Sequence, residues 1–166
     1  VKNADGSLKR VGFMPLLDYA EMNAATMTPQ FQLTWYGEDG KAAMSSDPNW
    51  ATMLKWQKGM IDFYGATQLK DFRTKLGDEF STSNPFYKNQ VSMMVDGEWR
   101  VGFLERELPS LDYGVVPLPT LDPAKYGGGY IGGTVLGVPK GSKHQEAAWL
   151  LTKYLSTDTG ALTKLA

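Results

Sequence analysis

The stretch VSMMVDGEWRVGFL, residues 91–104, decides how this chain is read. Its first five residues are short and almost continuously apolar, which suits a strand buried on both faces of a sheet. Asp96-Gly97 stops the run, and GEWRVGFLEREL reads as a helix with Asp96 as its N-cap. In open α/β sheets, ligands bind in the crevice outside the carboxyl ends of the strands. Helix N-termini at that place offer free N–H groups to oxygen-rich ligands. Trp99 stands there, in the first helical turn. At about 100° per residue, Val101, Leu104 and Leu108 gather on the opposite side of the helix, whereas Gly102, Phe103 and Arg106 share the side of Trp99. Trp99 is therefore expected off the stripe that pins the helix to the sheet. The competing reading is packing against another loop or domain. An aromatic face beside carboxylates suits a sugar, whose ring has an apolar C–H face and a hydroxyl rim. A cation over the ring is the other use of such a face.

Working outward, LDYGVVPLP (111–119) reads as a second buried strand stopped by Pro117 and Pro119. LDPAKYGGGYIGG (121–133) is a loop, and TVLGVP (134–139) is a third strand, with Ile131 at its start. Ser142 is expected to cap a helix over 143–155, with Ala147, Ala148, Leu151, Tyr154 and Leu155 on its core face. Ser156 or Thr157 would cap a further helix. Upstream, Asp47-Pro48 is an N-cap followed by proline at the first helical position, and Gly65 is the expected C-terminal glycine. Between them Trp50, Met53, Leu54, Met60, Ile61 and Tyr64 share one broad face, flanked by Trp56 and Phe63. FQLTWYGEDGKAAM (31–44) is a candidate hairpin turning at 38–40, and 16–27 reads as loops and short helices. Residues 69–90 read as one or two shorter helices, with Ser83-Asn84-Pro85 as a start signal. Strands alternating with helices predict an α/β sheet with helices on both faces.

Composition narrows the function classes. The chain has 166 residues, 42% hydrophobic and 21% charged, which excludes a disordered chain and suits one domain with a sizeable core, or one domain plus part of another. Net charge is −1 with no basic block, so no nucleic-acid partner is expected. No apolar run reaches the length of a membrane span. With no cysteine, disulfides and thiolate chemistry are absent, and with one histidine, His144, neither a metal centre nor any other cofactor is expected. The chain opens on Val1 without a signal peptide and ends on ALTKLA, which reads as mid-helix, so a fragment of a longer protein is expected.

Four segments in register carry a family resemblance: FYKNQVSMMVDGEWR (86–100), DYGVVPLPT (112–120), GGGYIGG (127–133) and VPKGSKHQEAAWLLTKYLSTDTG (138–160). Their order and spacing resemble the maltose-binding-protein-like family 1 extracellular solute-binding proteins of ABC importers. WYGEDGKAAMSSDPNWATMLKWQKGMIDFYG (35–65) resembles the family's turn and long helix more weakly. The resemblance implies a periplasmic-binding-protein type II-like lobe, a mixed sheet flanked by helices. It implies a two-lobe protein that closes on a solute, a sugar by preference, and docks on a membrane permease. Residues 1–130 would be most of the C-terminal lobe. Residues 131–166 would be a hinge-crossing strand and helices that pack on the N-terminal lobe. The parent would be periplasmic or lipid-anchored at the cell surface, and the isolated lobe could dimerise through its exposed face. By position, the implied ligand-binding residues are Trp99, Glu98, Asp96, Tyr130, Gly132 and Gly133, with Trp35 and Tyr36 in a second cleft-lining region. For Trp35 and Tyr36 the competing reading is local packing.

Three rivals stand beside this reading. GGGYIGG is followed by no Gly-Lys-Ser/Thr and opens no helix as G-x-G-x-x-G, so it is not a phosphate cradle. A glycoside hydrolase would need paired carboxylates, for which Glu38/Asp39, Asp78/Glu79 and Asp96/Glu98 are available. A surface interaction module without transport is the third.

Overall fold

Two three-residue strands far apart in sequence pair in parallel, with helices filling the interval between them. The computed structural model describes residues 1–133 and 135–165. It divides into two units, Val1–Tyr130 and Ile131–Ala166, taken here in turn.

In the first unit, β1 (Val11–Phe13) pairs with β2 (Val91–Met93), Val11 opposite Val91 and Phe13 opposite Met93. The chain between them carries α1 (Thr28–Phe31), α2 (Pro48–Tyr64) and α3 (Ala66–Arg73), and α4 (Trp99–Glu107) follows β2. This is the expected α/β class. Among the described residues, the expected mixed sheet is a parallel pair. Its free edge at β1 is closed by a side chain: the Tyr64 hydroxyl, at the end of α2, accepts from the N–H groups of Gly12 and Phe13 at 3.1 and 3.3 Å.

Helix α2 forms as the sequence predicts. Asp47 Oδ1 accepts from the Asn49 N–H at 2.9 Å, Pro48 opens the helix, and Gly65 ends it at φ +90°, a conformation that favours glycine. The helix bridges two core clusters. Met53 packs with Met22, Met27, Phe31, Leu33 and Val95, while Ile61 and Tyr64 pack on Leu8, Val11, Met14, Tyr19, Leu69, Phe72 and Val91. Its apolar face is narrower than expected: Leu54 is half exposed, and Trp56 rests its ring against Phe13 and Phe31.

Several expected elements are absent. Val91 is buried but Met93 is 60% exposed, so β2 is not buried on both faces. Residues 111–119 form no strand, and Val115 and Val116 stand 76% and 79% exposed. Residues 135–139 are likewise unpaired, and Thr134 lies outside the described residues. An apolar run becomes a strand only where another strand meets its N–H and C=O groups, and among the described residues none does. Residues 16–27 and 84–90 form turns rather than helices, and the 31–44 hairpin is reduced to one antiparallel bridge, Tyr36 with Ala42.

The second unit is a helical pair, α5 (Gln145–Thr157) and α6 (Thr159–Leu165). Ser142 sits two residues before His144, the cap position of α5, and does not cap the helix as expected; its hydroxyl accepts from the His144 N–H instead. Asp158, rather than Ser156 or Thr157, starts α6, accepting from the Ala161 N–H at 2.9 Å. On α5, Ala147, Leu151 and Tyr154 are exposed, not buried as the helical angles suggest, while Ala148 and Leu155 are half buried.

Candidate functional site

The residues after β2 form a turn held by an ion pair. Asp96 does not cap α4. The helix begins at Trp99, and Glu98, at the cap position, has helical backbone angles and makes no capping bond with its side chain. Instead the Asp96 carboxylate folds inward. Oδ2 accepts from Arg100 Nε at 2.5 Å and Oδ1 accepts from the Gly97 N–H at 2.8 Å. The Gly97 carbonyl accepts from the Arg100 N–H at 3.1 Å. A guanidinium four residues along reaches back one helical turn and takes the carboxylate oxygen instead, in a bond whose donor and acceptor both carry charge.

Arg100 is 6% exposed. Its guanidinium lies over three rings, Phe103 at 5.4 Å, Phe80 at 5.6 Å and Tyr87 at 5.7 Å, and donates to the Tyr87 hydroxyl at 3.2 Å. Burial alone would pull the guanidinium pKa down. The hydrogen bonds to Tyr87 and Asp96 outweigh it and hold the pKa above its ordinary value. The buried face of α4 is thus Arg100 and Leu104. Val101, expected in the core stripe, is 39% exposed.

Trp99 is 40% exposed and Glu98 beside it is exposed, so the turn presents an aromatic ring and a carboxylate to solvent. Asp96 belongs to the same turn, but both its oxygens are engaged by the protein. Trp35 and Tyr36 form a second group. The Trp35 indole N–H donates to Thr28 Oγ1 at 2.8 Å, and its ring meets Trp50 edge-on at 4.8 Å between centroids. Tyr36 is 68% exposed. Tyr130, 55% exposed, closes the first unit, whereas Gly132 and Gly133 open the second. Within the first unit, no hydrogen bond or ring contact among the described residues joins the Trp99 turn to the Trp35 group.

Sequence reasoning missed Arg100 and Gly97. The Asp-x-x-x-Arg spacing was the available signal for the first. A shallow, open depression lined by Leu104, Glu105, Leu108, Pro109, Leu111 and Tyr113 lies at the far end of α4 and includes none of the expected site residues. Among the described residues no group of three metal-ligating side chains gathers, and no helix is long and apolar enough to cross a membrane.

Comparison with known proteins fits this frame. A solved structure of CpMnBP1 with mannobiose bound superposes with a TM-score of 0.70 at 24% identity. The match covers 94% of this chain and 39% of that one, so the chain spans well under half the length of that protein, and the likeness establishes the fold. Residues 17–162 match the family model for bacterial extracellular solute-binding proteins, and the chain belongs to that family.

Proposed function

We propose that this chain is the C-terminal-lobe part of an extracytoplasmic binding protein that captures a sugar or oligosaccharide for an ABC importer, without catalysis. The observation that carries the reading is Trp99. It is a large aromatic outside the core, at the mouth of a parallel strand, on a turn anchored by a buried ion pair. Glu98 beside it supplies an acceptor for a hydroxyl rim. Asp96 serves the site through Arg100, and Trp35, its N–H already donated, supports a second surface from which Tyr36 projects. The similar fold of a protein that holds mannobiose supports a saccharide as the solute.

The domain reading follows from the same source. Residues 1–130 are most of one lobe. The glycines at 132–133 open a hinge crossing, and α5 packs on the other lobe. Trp149, Leu150, Leu151 and Tyr154, all between 51% and 60% exposed, are its contact residues. Without that lobe these side chains favour self-association. The Asp96/Glu98 pair is disfavoured as a hydrolase site because Asp96 is bound to Arg100, leaving Glu98 without a free carboxylate partner in its turn. A lipid anchor or a free periplasmic state is compatible with the reading.

The test is a calorimetric and thermal-shift panel on the full-length protein with mannobiose, maltose, polyamines and phosphodiesters. Saccharide binding without cleaved products is the expected result. Polyamine or phosphodiester binding without saccharide binding overturns the ligand class. Saccharide cleavage abolished by Glu98→Gln overturns the transport reading.

A further inference from the structure

Gly97 has no unusual backbone conformation, yet a side chain there has nowhere to go. A Cβ built on Gly97 would lie 2.3 Å from Cη2 and Cζ3 and 2.5 Å from Cζ2 of Trp99, closer than non-bonded carbons approach. Those three atoms are consecutive on the six-membered ring. A point nearly equidistant from all three lies on the ring's axis, over its face and not beside its edge. The Trp99 ring therefore lies with one face on the Gly97 α-carbon. The glycine cannot retreat, because its N–H donates to Asp96 and its C=O accepts from Arg100, and those two side chains are themselves paired. Any side chain at 97 must displace the ring. From this geometry we infer that Gly97 is the positioning residue of Trp99: its bare α-carbon is the floor on which the indole rests, so that the opposite face alone is presented to a flat-faced solute.

This rests on the reading of Trp99 as a sugar-stacking residue, but the pose of the ring is measurable without any solute. In full-length protein labelled with 5-fluorotryptophan, the Trp99 fluorine resonance is identified by its loss in Trp99→Phe. In Gly97→Ala it moves by more than its linewidth while the other tryptophan resonances hold. A Trp99 resonance that stays in place overturns the inference. Should Gly97→Ala fail to fold, the wild-type proton spectrum decides. A Gly97 α-proton over the ring face is shifted upfield and returns to the ordinary glycine range in Trp99→Leu; an ordinary wild-type shift overturns the inference. With mannobiose as the probe, Gly97→Ala weakens binding about tenfold, the share of an aromatic anchor lost when it is turned and not removed. It costs nothing further in a Trp99→Ala background, and an equal cost in that background overturns the inference. A ring that moves in a protein that binds no saccharide leaves the positioning role standing and removes the sugar reading.

Discussion

Trp35 and Trp99 are both tryptophans at the rim of the same unit, and they are held in opposite ways. Trp35 is half buried, spends its N–H on Thr28 and offers its ring to the edge of Trp50. Trp99 is 40% exposed, has no protein acceptor for its N–H among the described residues, and rests on a glycine. The first arrangement satisfies the indole internally, so its removal costs the fold. The second leaves one face and the N–H without a protein partner among the described residues, while Asp96 and Arg100 hold the turn beneath. We propose that a binding residue of this kind is recognised less by its exposure than by the structure invested in holding it still.

The sharpest way to break that comparison is to remove the support. Arg100→Ala leaves the Asp96 carboxylate, only 10% exposed, without its partner and should cost about 3 kcal/mol of unfolding free energy by chemical denaturation. A cost below about 1 kcal/mol would mean that the ion pair does not hold the turn. Next is Trp35→Ala, expected to cost roughly 2 kcal/mol, less than a fully buried tryptophan because part of its surface already meets water. A stable Trp35→Ala protein with lost affinity would reverse the assignment of the two residues. Glu98→Gln should change stability by no more than about 0.5 kcal/mol, since the side chain is exposed and makes no capping bond. The smallest effect concerns the wall beside Trp35. The Thr34 N–H, then the Asn49 N–H, hold the Asp47 carboxyl below its ordinary value. A depressed folded pKa adds stability that is present above the unfolded value and lost as pH falls through the folded one. Asp47→Asn should therefore flatten the acid side of the stability curve and leave the neutral side lower and unsloped. An unchanged acid limb would show that these bonds are not formed in solution.

How much of this was legible in the sequence depends on the range of the forces involved. α2 was readable end to end, because Asp47, Pro48 and Gly65 are local signals acting within one turn. The 91–93 strand was readable, but its partner β1, three residues with a glycine in the middle, carries no periodicity to detect. The 111–119 and 134–139 runs look like strands because their residues are strand-formers, yet pairing is a property of two segments, and among the described residues none pairs with either run. At the site, the helical angles correctly placed Trp99 off the core stripe. They misplace Val101 because the angles alone predict an apolar stripe, whereas its first member is a buried arginine whose guanidinium lies over three rings. Gly97 reads in the sequence only as part of the Asp96-Gly97 stop, since its contact with Trp99 exists only once the turn is folded.

The central claim is that Trp99 faces a solute and not the protein. Its most direct test is a calorimetric titration of the full-length protein and its Trp99→Ala variant with the saccharide that binds most tightly. An affinity loss of about 2 kcal/mol, roughly thirtyfold, is expected, with the unfolding midpoint of the unliganded protein nearly unchanged. Unchanged affinity, or a loss matched by an equal fall in stability, would contradict it.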